Sequence, residues 1–536
     1  MDEGGIVKVQ GDTLVILRRG RLFTVSLAGG RMRPIHAMDA FPPGVSAQGD
    51  WYDEMLLAGD QVIVVGYSYG RGGTEINRFR LGADGRLTWR DAHHLRSNDY
   101  YSSRNYASRL IGNELILYAP LDLDWKNDPL EALPGIRRWA GDEKAVFRPI
   151  ARARQVYIPP VVRRAREPAI KALHTVTRCD LTAPVLDCRA SAVFGPEGRT
   201  FFVSPNAVYL WLSDWDWSRE NAPSLLYRLP LDGSRPSAVG ARGAPTDQFS
   251  FQADPRDGVL NVLVRSEGGG DAMFRPEFTE GSVALLRLST RLFGDGSNEA
   301  PRSLYRPLPS PPSDAYEFHN RFVGDHVLYG TGERYGAGSR IAGSTLVVAP
   351  TRGGPVAQLP LPHGVTRLEA LGRDGLAVGG NGGDLQFSAV DLLGTPRIAD
   401  RYVLPAASEG ESRSHAFFYS PRTPDGASGI MGLPVSRPLE PRFQRFFGSA
   451  ASMLFLRRED RRFSPAGELA AQAERATDDG CQASCVDWYG NARPIFLGSR
   501  LFALLGYELV EGEIGAGGRI REVGRVDFAP PPRRAP

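Results

Sequence analysis

Short apolar or alternating runs recur along the whole chain, and each is bounded by turn residues. Examples are Thr13–Leu17, Gln61–Val65 and Glu114–Tyr118, which are rich in residues that fit a pleated sheet. Long helical periodicity is almost absent. One exception spans residues 464–476, where Ser464 as N-cap and Pro465 as first helical residue precede several alanines. The pattern therefore predicts an all-β protein with one short helix.

A turn signal followed by an apolar run also recurs, and several of the spacings lie near 50 residues. The 93 residues from Gly112 to Pro205 are expected to hold either two units or one unit with an insertion. The full set of signals is Gly11-Asp12, Gly59-Asp60, Gly112-Asn113, Pro205-Asn206, Asp257-Gly258, Gly324-Asp325, Asp374-Gly375, Asp425-Gly426 and Gly498-Ser499.

A period of this length with several strands in each unit is typical of a β-propeller, in which four-stranded blades surround a channel. A string of β-sandwiches has similar strand spacing. No Pro/Ser-rich linker divides the chain into sandwich-sized pieces, so the propeller is favoured. We predict one propeller domain of seven or eight four-stranded blades over residues 1–528, followed by a disordered Pro/Arg tail at 529–536.

Composition agrees with this architecture and excludes several classes of protein. The 536 residues include 61 glycines and 41 prolines, as many turns require, and 42% of the residues are hydrophobic, which rules out disorder and collagen. No run approaches the roughly 18 apolar residues of a membrane-spanning helix. The net charge is only +3, so bulk charge indicates neither a nucleic acid nor a membrane as partner.

Residues 126–178 depart from the pattern because they are basic and largely lack strand periodicity. This segment contains 12 Lys/Arg against 5 Asp/Glu and is predicted to be an irregular insertion that crosses the surface. Arg137 and Arg138 are candidate contacts to an acidic polymer, an anionic lipid or another protein. The alternative is a solvated arginine-rich loop. Aromatic residues are not interleaved as in a base-stacking surface, so no nucleic acid partner is expected.

Two aromatic segments are further candidates for binding. Tyr100, Tyr101 and Tyr106 lie in one segment, and Trp215 and Trp217 lie in the other. Rings beside hydroxyl and carboxylate groups suit a carbohydrate or peptide ligand, because they supply contact area at small entropic cost. Packing between blades also uses many aromatic residues, so a place in the core is the alternative.

Catalytic motifs are matched only superficially. Residues 66–70 match the nucleophile elbow, but the following residues alternate like a strand instead of forming a helix. None of the four lysines follows a glycine, which excludes a Walker loop, and no histidine is followed by glutamate as in a zinc protease. The cysteine spacing does not form a four-ligand zinc set. We therefore assign no catalytic residue, metal or cofactor.

The four cysteines fall into two local pairs, Cys179 with Cys188 and Cys481 with Cys485. An even, paired set predicts disulfides and an oxidising compartment, with reduced cysteines as the alternative. Three connectivities exist, of which the local one closes only short loops. The charged N-terminus contains no visible signal peptide, which taken alone would indicate a cytoplasmic protein.

Three stretches carry a resemblance to a known family. Residues 2–25, which begin Asp2-Glu3 and continue Ile-Val-Lys, resemble the opening of the prokaryotic secreted proteins with a C-terminal β-propeller domain. Residues 106–113 and 494–510 are similar to an inner stretch and to the last blade of that family. The resemblance implies export by a signal peptide or a lipoprotein anchor, and it implies no established activity. Met1 stands where the family has valine, so we expect an export signal or membrane anchor upstream of Met1.

These observations lead to a functional hypothesis with one alternative. We predict a monomeric, periplasmic or secreted propeller without enzymatic activity that binds a protein or glycan, or serves as a scaffold of the cell envelope. The alternative is a hydrolase or lyase with its site in the central channel. A channel lined by clustered Asp, Glu, His or Arg would favour the enzyme, and a narrow or apolar channel with an aromatic face would favour binding.

Overall fold

The chain forms nine successive sheets within the residues that the structure describes, and their strand pairs are antiparallel except Val156–Tyr157 with Asp187–Gly195 and Ser237–Ala241 with Asp295–Glu299. The structure is a computed structural model. It describes residues 1–102, 104–123, 133–141, 145–166, 168–214, 224–254, 258–270, 279–312, 317–332, 343–437, 450–472 and 479–530. The sheets follow one another along the chain as the blades of a β-propeller, which confirms the predicted fold class.

Each blade is built on four antiparallel strands, preceded in the chain by β1 (Asp2–Glu3). Blade 1 contains β2 (Val7–Gln10), β3 (Thr13–Arg18), β4 (Arg21–Ser26) and β5 (Arg33–Asp39). Blade 2 contains β6 (Trp51–Ala58), β7 (Gln61–Ser68), β8 (Gly73–Leu81) and β9 (Leu87–Leu95). Blade 3 begins with β10 (Ser108–Ile111) and β11 (Glu114–Asp122) and ends with β15 (Ala172–Asp180) and β16 (Asp187–Gly195). Between β11 and β15 lie β12 (Gly135–Arg138), β13 (Arg148–Pro149), β14 (Val156–Tyr157) and α1 (Pro160–Arg163).

The next three blades follow the same plan. Blade 4 contains β17 (Gly198–Val203), β18 (Ala207–Ser213), β19 (Ser224–Pro230) and β20 (Ser237–Ala241). Blade 5 contains β21 (Phe251–Asp254), β22 (Val259–Gly268), β23 (Thr279–Ser289) and β25 (Tyr305–Leu308), while β24 (Asp295–Glu299) pairs with β20 at the edge of blade 4. Blade 6 contains β26 (Phe318–Val323), β27 (His326–Thr331), β28 (Ser344–Pro350) and β29 (Ala357–Leu361).

The last three blades complete the ring. Blade 7 contains β30 (Arg367–Leu371), β31 (Asp374–Asn381), β32 (Asp384–Asp391) and β33 (Arg397–Leu404). Blade 8 contains β35 (Phe418–Pro421), β36 (Gly429–Arg437), β37 (Ala450–Glu459) and β38 (Arg462–Ala470), with β34 (Ser408–Glu409) paired to β36. Blade 9 contains β39 (Ala492–Leu497), β40 (Arg500–Leu505), β41 (Glu508–Ile514) and β42 (Ile520–Asp527). Short 3-10 turns lie at Ala28–Gly30, Ala153–Gln155, Gln248–Ser250, Thr290–Leu292, Arg302–Leu304 and Ser414–Ala416.

The prediction of seven or eight blades is wrong, because each of the nine turn signals belongs to a separate blade. Eight of them fall between the first and second strands of their blades, and Asp374-Gly375 begins the second strand of blade 7. Gly11 and Gly324 illustrate the chemistry of these turns, with φ values of 54° and 56° at the first position of a two-residue loop. The 93 residues after Gly112 hold one blade and an insertion, so the units differ in length.

Burial explains why the second strands are continuous apolar runs. Each blade is covered on both faces by its neighbours, so β7 is buried at every residue after Gln61. Outer strands face solvent and are more polar, as in β42, where no residue is fully buried. The core is therefore divided into apolar clusters that mostly span adjacent blades.

The ring closes between blade 9 and blade 1 without a strand shared between them. Phe23 of blade 1 and Phe528 after β42 pack with ring centroids 5.4 Å apart. Arg500 donates a hydrogen bond to the carbonyl of Leu27 across this junction at 2.7 Å. Strand β1 lies apart from blade 1, since it pairs with β10, the first strand of blade 3.

The basic insertion is more ordered than the sequence indicates. Strand β12 pairs with β9 and therefore extends the outer edge of blade 2, while β14 pairs with β16 of blade 3. The insertion lies between β11 and β15, and residues 172–178 of the predicted segment belong to the regular strand β15. The prediction of an irregular segment over all of 126–178 is therefore wrong for these residues.

The predicted helix is absent from the described part of its range. Residues 464–470 belong to strand β38, whose partner β37 overrides the local helix signals, and residues 473–476 lie outside the described residues. The α-helix of the described residues is α1, within the insertion. Most of the predicted tail, residues 531–536, also lies outside them. No helix of the described residues is long and apolar enough to span a membrane.

Both predicted local disulfides are confirmed. Cys179 and Cys188 are directly opposite each other on β15 and β16, with a Cα–Cα distance of 4.1 Å. Cys481 and Cys485 close a short loop between blades 8 and 9, with a Cα–Cα distance of 6.0 Å. Local pairing therefore replaces the other two connectivities.

Candidate functional site

A cavity of about 1290 Å³ lies where the segments leading into blades 5, 6, 7 and 8 converge. Most of its wall residues lie just before or within the first strands of these blades, and hairpin residues of blade 7, Arg104 ahead of blade 3 and Gly332 after the second strand of blade 6 complete it. First strands face the central channel of a propeller. The cavity, called the channel cavity below, is therefore the candidate site.

An ion-paired wall is formed by Arg321, Arg367, Glu369 and Glu409. Glu369 accepts from both arginines, at 2.9 Å from Arg321 and 3.1 Å from Arg367. Arg367 also pairs with Glu409, and the side chains of Arg367 and Glu369 are almost fully buried. Charge-assisted hydrogen bonds of this kind fix the position of each group. The wall thus joins blades 6, 7 and 8 in one rigid network.

Glu411 extends the network to blade 9. Its carboxylate contacts Arg493 at 2.5 Å and accepts from the backbone N–H groups of Asn491 and Ala492 at 3.2 Å. Arg493 also donates to the carbonyl of Tyr489 at 2.6 Å. The carboxylate is therefore held in place from several directions.

Glu317 differs from the other carboxylates because it pairs with an imidazole. His319 Nε2 lies 3.4 Å from Glu317 Oε2, and 40% of the Glu317 side chain is exposed. The hydrogen bond from His319 lowers the pKa of Glu317, so this group is a carboxylate at neutral pH. The charge of Arg104 contributes to the same shift, and the ion pair of Glu317 among the described residues is the one with His319. Glu317 is thus an ionised acceptor in an accessible position.

Asn320 adds a second acceptor to the cavity. The residue is 4% exposed, and its amide Nδ2 donates to Asp247 at 3.5 Å. Its Oδ1 is buried and has no hydrogen-bond partner among the described residues. A buried acceptor without a partner costs free energy, which a ligand donor would recover.

The charges of the cavity do not balance. Among its described lining residues, carboxylates outnumber arginines by six to three, and one of these carboxylates, Glu411, is paired with Arg493 behind the wall. The carboxylates are Asp247, Glu317, Glu369, Asp384, Glu409 and Glu411, and the arginines are Arg104, Arg321 and Arg367. Low-dielectric walls of one net sign concentrate ions of the opposite sign. The cavity therefore suits a positively charged group.

The N-terminal strand β1 fills another part of the channel. Glu3 contacts Arg109 at 2.5 Å on blade 3 and His415 at 3.0 Å ahead of blade 8. Burial alone would raise the pKa of Glu3, but the charge of Arg109 and the hydrogen bond from His415 lower it to about 2. This carboxylate therefore links two distant blades of the ring.

The three predicted tyrosines lie close to the channel. Tyr100 and Tyr106 are buried, at 4% and 1% exposure, and Tyr106 stacks between His415 and Tyr489 at centroid distances of 4.6 and 4.9 Å. Tyr101 is half-buried and packs against Trp488 at 5.3 Å. Ligand binding by these rings stays a prediction.

The other predicted site residues are elsewhere. Trp215 and Trp217 lie outside the described residues. Arg137 and Arg138 lie on β12 at the outer edge of blade 2. Arg137 is half-buried with its guanidinium 4.7 Å from the centroid of Phe147, and Arg138 is exposed. The insertion arginines and the tyrosines are therefore separate candidate surfaces.

Sequence reasoning missed the residues of the channel cavity. A partial signal for them was present, because an arginine recurs within first strands, and two of these arginines, Arg321 and Arg367, line the cavity. The set is Arg109, Arg199, Arg321, Arg367 and Arg493. Only the fold shows that such positions in different blades converge.

Metal ions in proteins are held by sets of His, Cys, Asp or Glu side chains. Among the described residues, no three or more His, Cys, Asp or Glu side chains form a group that could hold a metal ion. The carboxylates of the channel cavity are instead arranged around arginines and one histidine.

Comparison with known proteins identifies the family. The apo structure of AztD from Citrobacter koseri is similar at 10% identity, with 97% of this chain and 95% of that chain covered and a TM-score of 0.36. A hypothetical selenium-binding protein from Sulfolobus tokodaii is similar at 12% identity over 57% of this chain and 78% of that chain, with a TM-score of 0.28. No curated protein matches. A family model described as a beta propeller domain matches residues 1–286, more than half of the chain. The chain therefore belongs to the beta propeller domain family.

Proposed function

We propose that the protein is a non-enzymatic, exported binding module of the cell envelope whose channel cavity takes up a basic group of a protein ligand. The main observation in support of this proposal is the excess of carboxylates over arginines in the cavity. An ammonium or guanidinium group would be received by Glu317, with the unpaired Oδ1 of Asn320 as a further acceptor. The two disulfides support export, since they persist in oxidising compartments.

A protein ligand is favoured over a glycan by the aromatic content of the cavity. Among its described lining residues, Phe249 is the one Phe, Tyr or Trp. The guanidinium carbon of Arg321 lies 4.2 Å from the centroid of the Phe249 ring. The ring face is thus occupied by a guanidinium. A sugar ring would find no free aromatic face on this wall, whereas a basic side chain needs none.

Binding of basic groups can be tested by calorimetry with short peptides of defined charge. We expect Gly-Arg-Gly and Gly-Lys-Gly to bind, Gly-Glu-Gly not to bind, and Glu317→Gln to weaken the basic peptides about tenfold through loss of one charged hydrogen bond. Glu280→Gln, which removes an exposed carboxylate on β23, is the matched control and should change nothing. The proposal would be contradicted if all three peptides bound equally well, or if no peptide bound. Selective binding of a neutral chitin trisaccharide would show that the ligand is a glycan and not a protein.

A hydrolase or lyase remains the second candidate, because charged residues do cluster in the cavity. The Glu317–His319 pair supports this candidate, because a carboxylate beside an imidazole is a common arrangement in general acid–base catalysis. Most other carboxylates are held by arginines. Glycoside hydrolysis also needs a carboxyl group with a raised pKa, whereas the pKa of Glu317 is lowered. If the protein turned over a substrate, and if this activity were lost on replacement of His319, the protein would be an enzyme and not a binding module.

A further inference from the structure

Six exposed arginines of the insertion form a strip along the outer edges of blades 2 to 4. This set, called the rim arginine strip, consists of Arg148, Arg152, Arg154, Arg163, Arg164 and Arg166. None of them forms an ion pair with a carboxylate of the described residues, in contrast to the paired arginines of the channel cavity. The charge of Arg164 acts on Asp295 at the edge of blade 4, whereas the other five arginines of the strip have no ion-pair partner among the described residues.

The backbone that carries the strip is fastened to three blades. Pro149 and Arg148 pair with β12, which extends blade 2, and Ala190 of blade 3 donates to the carbonyl of Ile150 at 2.9 Å. The hydroxyl of Tyr157 donates to the carbonyl of Asp295, on β24 at the edge of blade 4, at 2.9 Å. The arginines are thus presented by a backbone fixed to several neighbouring strands, and the loss of backbone freedom on binding is small.

Two exposed apolar residues lie in the same segment. Val146 is 86% exposed two residues before Arg148, and Val161 is 46% exposed within α1, beside Arg163 and Arg164. Guanidinium groups bind phosphate through several parallel hydrogen bonds. Apolar side chains between such groups gain by entering the boundary between headgroups and acyl chains. A soluble anionic polymer would pair with the arginines but would leave the two valines exposed to water.

From these observations we propose that the rim arginine strip docks the propeller edge-on to an anionic phospholipid bilayer. Each arginine near such a surface is attracted by the negative surface potential, with an effect that added salt screens. This surface is separate from the channel cavity, so the proposal does not depend on the ligand of that cavity.

Sedimentation with lipid vesicles tests the proposal on the full chain. We expect binding to phosphatidylcholine vesicles that contain about one-third phosphatidylglycerol, much weaker binding at high salt, and none to pure phosphatidylcholine. Replacing Arg148, Arg163 and Arg164 by Gln should weaken binding about a hundredfold, from about fivefold for each arginine. Val161→Ser should weaken it less and should reduce the part that persists at high salt.

A control variant removes the same charge elsewhere. Arg302, Arg373 and Arg462 are exposed arginines on blades 5, 7 and 8, and their replacement by Gln should leave vesicle binding within about twofold of the unmodified protein. Equal losses in both triple variants would overturn the proposal, as would equal binding to neutral vesicles. Retention on a heparin column without vesicle binding would also overturn it, in favour of a soluble anionic polymer. Circular dichroism of each variant separates these outcomes from loss of the fold.

Discussion

Glu3 is a single residue that couples the N-terminal strand to two blades through Arg109 and His415. Its pKa in the folded chain, about 2, lies below the 4.5 of an unperturbed glutamate. Stability gained from this group is therefore complete above about pH 4.5 and is lost as the pH falls towards 2. The side chain is one-quarter exposed, so we expect about 2 kcal/mol from it at neutral pH.

Replacement of this residue should accordingly change both stability and its pH dependence. Glu3→Gln is expected to lower the free energy of unfolding by about 2 kcal/mol at pH 7 and by almost nothing at pH 2. Urea titrations across this pH range measure both effects. Asp2→Asn on the same strand is the control, since the Asp2 side chain is half exposed and pairs with Lys8 at the surface. A pH slope that is unchanged in Glu3→Gln would refute the role of this carboxylate.

Individual site residues were the least predictable feature of the chain. Glu317 and His319 are close in sequence, yet nothing local distinguishes them from other polar pairs at strand starts. The ion pairs Arg321–Glu369 and Arg367–Glu409 join different blades or cross a connecting segment. Such contacts depend on the closure of the ring, which one sequence does not display.

At the level of elements, the loop closed by Cys481 and Cys485 fastens the junction of blades 8 and 9 to blades 1 and 2. Arg21 donates to the carbonyl of Asp479 at 2.5 Å, and the N–H of Ser484 donates to the carbonyl of Asp50 at 2.6 Å. Asp487 pairs with Arg18 at 2.9 Å. The disulfide adds a covalent restriction to a segment that these and other noncovalent contacts also hold, such as the stacking of Tyr489 on Tyr106.

Removal of the Cys481–Cys485 disulfide should expose this loop. The Cys481→Ala, Cys485→Ala variant is expected to lose about 2 kcal/mol of stability and to be cleaved first within residues 479–491 in limited proteolysis. The Cys179→Ala, Cys188→Ala variant is the matched control, because nine cross-strand pairs hold β15 to β16 without the disulfide. Mass spectrometry of the first fragments compares the two. Initial cleavage at the same sites in both variants would contradict the prediction.

Strands and turns were predicted well where the hydrophobic periodicity and the turn residues agree. They were predicted poorly where tertiary contacts determine the secondary structure. The turn glycines mark the hairpins because positive φ favours glycine whatever surrounds the hairpin. Ser464 and Pro465 carry helix signals, but pairing with β37 places them in a strand. Strand β12 has a weak local pattern and forms because the edge of β9 offers unpaired backbone groups.

At the scale of the whole molecule, the interface between blades 9 and 1 differs from the other interfaces between neighbouring blades. Adjacent blades elsewhere are joined by a short stretch of chain, which keeps their faces at high effective concentration. Blades 9 and 1 lie at opposite ends of the described chain and are held by noncovalent contacts, which include packing of Phe23, Tyr507 and Phe528 and the bond from Arg500 to Leu27. Weakening of this interface should therefore open the ring before the blades unfold.

The substitution Phe528→Ala tests this difference. Phe528 is 4% exposed, and its loss should cost about 3–5 kcal/mol, as should Phe387→Ala in the core between blades 7 and 8. Only the first variant should show faster hydrogen exchange confined to β2–β5 and β39–β42, because a separated interface without a connecting segment recloses slowly. Exchange measured by mass spectrometry at neutral pH distinguishes the two variants. If Phe528→Ala accelerates exchange evenly over all nine blades, the ring opens only by global unfolding, and packing at this junction is no weaker than at the others.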